Sequence, residues 1–290
     1  MSLRIGAKLP HSGPLVTRLG LVAMALRLEA AGFDSIWVSD HVVFPHEVRS
    51  RYPFAEDGRV TWALDVDYIE PVIALSAVAS ATTRVELGTS VLILPLRNPV
   101  MFAKQAACID VLSGGRLVLG VGAGWLREEF EALGANFGER GAVLDEWLDI
   151  ARRCWSGSAG PYEGKFYRLP EAIYCRPVPK RVPPVLIGGM SLRALERAGR
   201  IADGWLAQFS IDNLSEEAVR SGLDTMRAAG GARGIRVVVR VTGGPDRVGE
   251  LAPRLTTLAA AGATEVVVDV DWDQEDGAAR AGEALRSAVA

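Results

Sequence analysis

Histidine and cysteine are scarce, three of each in 290 residues, and the scarcity excludes several chemistries. Cys108, Cys154 and Cys175 are odd in number and have no C-x-x-C spacing, so neither a disulfide frame nor a zinc knuckle is expected. His11, His41 and His46 form no His-x-His or His-Glu-x-x-His pattern, and no metal site is expected. No apolar stretch approaches the ~18 to 20 residues that span a bilayer, and the first residues lack a signal-peptide layout. A soluble, cytoplasmic protein without a membrane partner is the expectation. Basic runs are also missing, and a net charge of −3 with interspersed signs argues against nucleic acid as a partner.

Apolar residues make up 49% of the chain, enough for one large core, and a single domain over residues 1–290 is expected. Its centre is the stretch RVELGTSVLILPLRNPVMFAKQAACIDVLSGGRLVLGVGAGW, residues 84–125. Val85 to Val91 reads as a strand buried on both faces. Asn98 and Pro99 then open a helix as cap and first-turn residue, with Val100, Ala103, Ala107 and Val111 as its apolar stripe. Cys108, in that helix, reads as a buried, inert thiol. Gly114 and Gly115 end it, and Arg116 to Val121 is a second buried strand. Strand, crossover helix and strand make a right-handed parallel βαβ unit.

Similar alternation runs through the whole chain, with strands expected at 3–9, 35–38, 85–91, 116–121, 185–187, 204–208, 235–241 and 264–270. Eight strands and eight helices in alternation give the α/β class and a (β/α)8 TIM barrel, with an open doubly wound sheet as runner-up. Two insertions interrupt the pattern. Residues 42–67 follow strand two and far exceed the usual ~2 to 6 residue loop, while the Gly- and Pro-rich residues 156–184 lie between helix four and strand five.

In a barrel the working face is the carboxyl end of the strands, and the candidate residues are those found there. Asp40-His41 is the most reactive pair, because an imidazole titrates near neutrality and can hold or move a proton; the bland reading is a capping pair. His11 is a weaker case and His46 weaker still. Gly122-Ala123-Gly124 and Gly188-Gly189-Met190-Ser191 both lie between strand and helix, where free backbone N–H groups can receive a phosphate. Either turn alone is a weak signal; two after consecutive strands suggest one extended phosphorylated cofactor. Thr89, Ser90 and Val91 also read as ordinary strand interior. Trp125, Phe209 and the loop residues Phe44, Tyr52, Phe54 and Trp62 read as lining for a ring-bearing ligand or as lids packed on the barrel.

On its longer motifs the chain resembles the bacterial luciferase-like monooxygenase superfamily, in particular its branch of oxidoreductases that use the deazaflavin coenzyme F420. The resemblance covers the chain from Leu3 to Phe209, and its motifs, in order, are GFDSIWVSDH, RVELGTSVLILPLRNPVMFAKQ, DVLSGGRLVLGVGAGWLREEFEALG, GKFYRLP, PVLIGGMS and ADGW. The resemblance implies a flavin or deazaflavin ring at the strand ends, supported by a bulge after a non-proline cis peptide at Ser90-Val91. It assigns Asp40 and His41 to the ring's reactive edge, Gly188 to Ser191 to the phosphate, and Gly122 to Gly124 to the ribityl chain. The implied reaction is hydride transfer between F420 and a small organic substrate. His41 would handle the proton, Asp40 would orient it or bond the ring, and His11, Phe44, Trp125 and Phe209 would contact substrate.

One departure is Trp125, which stands where sugar-phosphate dehydrogenases of this branch have glutamate; a flatter, more apolar substrate is implied. The alternative is an FMN-dependent two-component monooxygenase using dioxygen, with a separate flavin or F420 reductase supplying reduced cofactor. A non-catalytic cofactor-binding barrel and a histidine-poor hydrolase or lyase are more distant readings. A homodimer is implied by the resemblance alone.

Overall fold

The computed structural model describes residues 2–231 and 234–289. Nine parallel strands form its main sheet, and eight of them make the ring: β1 (Arg4–Lys8), β2 (Ser35–Val38), β3 (Glu86–Thr89), β4 (Leu117–Gly122), β5 (Val185–Gly188), β6 (Gly204–Ser210), β7 (Arg236–Thr242) and β8 (Glu265–Val268), while the two-residue strand Leu92–Ile93 pairs with the end of β4. Each ring strand pairs with the next, β8 pairs with β1, and β4 pairs with β5 through Val185, Leu186 and Ile187 against Leu119, Gly120 and Val121. The ring is closed, which excludes the open-sheet reading. All eight strands fall where the apolar runs place them, because a strand buried on both faces carries an almost unbroken apolar signal.

Side chains alternate between the inside of the ring and the helical layer around it. Trp37, Val118, Leu186, Leu206, Val238 and Val267 meet inside as one cluster. Trp37 is the plug of this layer. A Cβ on Gly88 would come within 2.2 Å of its Cε3 and one on Gly6 within 3.0 Å of its Nε1, so both neighbouring strands need glycine beside the indole. Below the plug, Arg4 Nη1 donates to Glu86 Oε2 at 2.6 Å, while Arg236 Nη2 donates to Glu86 Oε2 at 2.8 Å and to Glu265 Oε2 at 2.5 Å. Charges on the inside face at this end are thereby paired.

The helical layer departs from eight simple helices in several places. Gly20, at φ +78°, splits the first crossover into Pro14–Leu19 and Leu21–Ala30. The crossover after β4 contains Arg127–Ala132 and Arg140–Trp155, and that after β7 is broken into Val248–Leu251, a 3-10 turn and Leu255–Ala260. Asn98 caps Pro99–Ser113 as expected, accepting from Val100 N at 3.0 Å and Met101 N at 3.1 Å, and Gly114 ends it in the left-handed conformation. The buried residues of this helix are Pro99, Phe102, Ala103, Ala106, Ala107, Ile109, Asp110 and Ser113, so Ala103 and Ala107 of the expected stripe do face the core. Val111 is 38% exposed, and Cys108 is half-buried, not fully enclosed.

Residues 42–67 contain no helix or strand and fold over the carboxyl ends of the barrel strands. Residues 156–184 carry two short antiparallel pairings, Ser158–Ala159 with Ile173–Tyr174 and Tyr162–Glu163 with Arg168–Leu169. No helix among the described residues is long and apolar enough to cross a membrane.

Candidate active site

A cavity of about 1220 Å³ opens at the carboxyl ends of the strands. That exceeds the ~300 to 1,000 Å³ typical of a single small-ligand pocket, leaving room for an extended cofactor and a second molecule. The rim loop is held here by hydrogen bonds to one short helix, Arg127–Ala132. Glu128 Oε1 accepts from Arg49 N at 2.7 Å and Ser50 N at 3.0 Å, and its Oε2 accepts from Ser50 Oγ at 2.6 Å. Its neighbour Glu129 is fully buried and accepts from Val42 N at 2.6 Å. Two adjacent carboxylates thus pin the first part of the rim loop, at Val42 and at Arg49–Ser50.

Glu129 also holds the imidazole. His41 Nδ1 lies 2.9 Å from Glu129 Oε2. A carboxylate can only accept, so the proton sits on Nδ1 and Nε2 is the basic nitrogen, without a protein partner among the described residues. Phe44, Tyr68 and Trp125 surround the ring at centroid distances of 4.5, 6.3 and 5.9 Å. Such an arrangement can serve as a base with an orienting acid, inside an aromatic box that fixes the ring plane.

Asp40 does not orient His41, contrary to expectation. Its Oδ2 accepts from Ile93 N at 2.7 Å and Arg97 Nη1 at 2.5 Å, and its Oδ1 accepts from Arg97 Nη2 at 2.9 Å. Arg97 continues to Glu70 Oε1 at 2.6 Å, and the other oxygen of Glu70 caps the helix Pro71–Ala81. Complete burial raises the Asp40 pKa from its ordinary value, and the forked guanidinium and the Ile93 N–H pull against that rise. Asp40 is therefore an anchor between β2 and the segment after β3. Neighbours in sequence point their side chains to different tasks here.

His11 lines the cavity with both nitrogens engaged. Nε2 lies 2.9 Å from Ser39 O, and Nδ1 lies 3.4 Å from Lys8 Nζ. Burial, with Lys8 adding repulsion, pushes its pKa down to about 3, so it stays neutral. Two other expected site residues are absent from the cavity wall. Thr89 turns its hydroxyl to Gly120 O at 2.8 Å, within the sheet. Phe209 packs in the outer core while Gln208, one residue earlier, faces the cavity, as alternation along β6 requires.

Ser90, Val91, Gly122 to Trp125, Gly188 to Ser191 and Phe44 do border the cavity. The Ser90-Val91 peptide is cis. Val91 stands between the two glycine turns: a Cβ on Gly188 would lie 2.3 Å from its Cγ1, and one on Gly122 2.7 Å from its Cγ2. The glycines are thus required by a neighbouring side chain, which forms a raised apolar shelf between them. Ser191 caps the ten-residue helix Leu192–Ile201, accepting from Ala194 N at 3.3 Å, with Gly189 at φ +124° before it.

Comparison with known proteins agrees with this layout. The family model described as luciferase-like monooxygenase matches residues 8–265. The chain belongs to that family. An uncharacterized protein of Mycobacterium tuberculosis is 30% identical over 271 residues, covering 92% of this chain and 93% of its own. A second uncharacterized M. tuberculosis protein is 36% identical over 185 residues, 64% of either chain, so the match leaves out about a third of that relative. The F420-dependent glucose-6-phosphate dehydrogenase of Amycolatopsis mediterranei is 36% identical over 192 residues, 64% of this chain and 52% of that one. An F420-dependent secondary alcohol dehydrogenase, solved with an F420-acetone adduct, superposes with a TM-score of 0.76 at 17% identity over the full length of both chains. The oxygenating constituent of a diketocamphane monooxygenase from Pseudomonas putida, solved with FMN, gives 0.72 at 15% identity, covering 100% of this chain and 98% of its own. At such identities these two likenesses speak for the shared barrel.

This luciferase-like barrel has the features that a tricyclic phosphorylated cofactor needs. Ser90 Oγ is buried without a hydrogen-bond partner beside the Val91 shelf, an unmet polar group of the kind a ring heteroatom satisfies. A helix N-terminus with a serine cap and a glycine turn lies on the cavity wall and is suited to an anion. Among the site residues outside the sequence candidates, Glu129 carries one local signal, an acidic doublet in the first turn of its helix. Arg97, Lys8 and Arg240 carry none beyond their charge.

Proposed function

We propose that this chain is an F420-dependent oxidoreductase that transfers a hydride between the deazaflavin and a small organic substrate. The observation that carries the proposal is the His41-Glu129 pair, whose free Nε2 belongs to the same cavity as the Val91 shelf. The name of the Amycolatopsis relative and the motifs from Leu3 to Phe209 support the choice of cofactor. When bound, the deazaflavin supplies the two-electron chemistry.

The chain's part is position and electrostatics. The shelf of Val91 would support the ring, Ser90 Oγ would offer its polar edge a hydrogen bond, and the turn Gly188–Ser191 would hold the phosphate. His41 Nε2 takes the proton from a substrate hydroxyl, or returns it to a carbonyl oxygen in the reverse direction. Glu129 stabilises the imidazolium that forms. Phe44, Tyr68, Trp125 and Tyr52 exclude water and favour a flat substrate.

The test is anaerobic and aerobic turnover with each cofactor. Stoichiometric exchange of hydride with F420, insensitive to oxygen, supports the proposal. Oxygen uptake that depends on reduced FMN, with no turnover of F420, overturns it in favour of the monooxygenase alternative.

A further inference from the structure

The inner wall of the cavity carries two cations that the reaction described above does not use. Lys8 closes β1 and Arg240 lies on β7; both border the cavity. They lie on the inward-facing parity of their strands, Lys8 two residues after Gly6 and Arg240 two residues after Val238 of the inner cluster. Arg240 is tied down. Its Nη2 donates to Asp269 Oδ1 at 2.5 Å, and its Nη1 donates to Val241 O. Lys8 is not. No carboxylate among the described residues lies within 4.0 Å of its Nζ, and its hydrogen-bond neighbour is His11 Nδ1 at 3.4 Å, a long contact to a neutral ring. Asp269 is thus engaged by Arg240, and Lys8 has no carboxylate of its own among the described residues.

A lysine here is a poor choice for packing alone, because an ammonium loses hydration without gaining a counter-charge. Desolvation, with Arg240 nearby, does lower its pKa well below the ordinary value, against the opposing pull of Asp269. A monoanion beside the ammonium would offset both by supplying the missing counter-charge. Above Lys8 the walls are aromatic. His11 meets Tyr68 edge-on at 4.8 Å, and Tyr68 meets His41 at 6.3 Å, so the unpaired ammonium and the basic imidazole lie at opposite ends of a row of rings. Across the cavity Tyr52 contacts Trp125 at 5.2 Å and Trp62 at 4.9 Å.

We infer that Lys8, in the field of Arg240, receives the carboxylate of a planar organic acid, with the body of that acid between the aromatic walls and its reacting carbon toward His41. This rests on the hydride-transfer reading only for the last of those three placements.

Calorimetry with trans-cinnamate and its neutral isostere cinnamamide, on wild-type protein with and without F420, tests it. Cinnamate should bind at least about 10-fold more tightly than the amide. Lys8→Met should remove that preference and leave amide binding unchanged, and Lys8→Arg should keep most of it. Equal affinities of wild type for acid and amide, or an undiminished preference in a folded Lys8→Met protein, would overturn the inference. F420 affinity is read in the same titrations: failure of F420 to bind while the acid preference persists sinks the redox reading and leaves the carboxylate site standing.

Discussion

Substituting Glu129 by glutamine changes one charge and almost no volume, and it separates the tasks of this side chain. Oε1 can go on accepting from Val42 N, so the rim loop keeps its tether. The amide nitrogen then faces His41 Nδ1 at the position of Oε2, where the carboxylate accepts at 2.9 Å. An amide N–H is a donor, so the imidazole must move its proton to Nε2, and the nitrogen open to the cavity ceases to be a base. A hydrogen bond to a charged group is worth about 1.5 to 3 kcal/mol, which sets a loss of roughly 10- to 150-fold in kcal-equivalent rate terms for the chemical step. A wrong tautomer adds to that loss, as an Asp→Asn change does in a serine protease triad. With three histidines in the chain, nitrogen-15 spectra of the imidazoles read the tautomer without any need for substrate. His41 should appear as the Nδ1–H form in the wild type and as the Nε2–H form in Glu129→Gln. An unchanged tautomer together with unchanged kcat would refute the dyad.

The remaining predictions concern the frame of the site. Asp40→Ala leaves the guanidinium of Arg97 buried with Glu70 as its remaining acid partner, and chemical denaturation should show a loss of about 3 to 5 kcal/mol; adding Arg97→Met should restore part of it. Gly188→Ala puts a methyl group 2.3 Å from Val91 Cγ1 and must displace the shelf, so F420 binding should weaken about 10-fold or more while the melting temperature moves little. His11 titrates at about 3 in the folded chain against 6.5 when free. The unfolded chain therefore takes up the proton first: the stability is whole above pH 6.5 and falls by up to about 1.36 kcal/mol per pH unit below it, until the folded pKa is reached. His11→Gln should flatten the loss between pH 7 and 4 in denaturation curves, and a parallel decline in both proteins would show that other groups control it.

Much of the barrel was legible in the residues because a parallel strand buried on both faces leaves an unmistakable apolar run, and Asn98-Pro99 and Gly114 punctuate a helix by known conformational preference. Face assignment within elements was less legible. Thr89 and Phe209 lie at strand ends, yet their parity turns them away from the cavity, and the inward positions of Lys8, Gln208 and Arg240 show which parity points in. Of the stripe expected in Pro99–Ser113, Ala103 and Ala107 are buried while Val111 is exposed, and the buried face also holds Asp110, a carboxylate that accepts from Lys180 N at 2.7 Å. The imidazole of the site was evident at His41, but its partner was not. Glu129 is 88 residues away, and adjacency made Asp40 look like the orienting acid when its geometry gives it to Arg97.

The central claim is that the rim of this barrel is shaped for a deazaflavin, its ring on Val91 and its phosphate at Gly188–Ser191. Equilibrium titration of the purified protein with F420 and with FMN tests it most directly. Saturable binding of F420 that weakens in Gly188→Ala is the expected result; tight binding of FMN with none of F420 would contradict it.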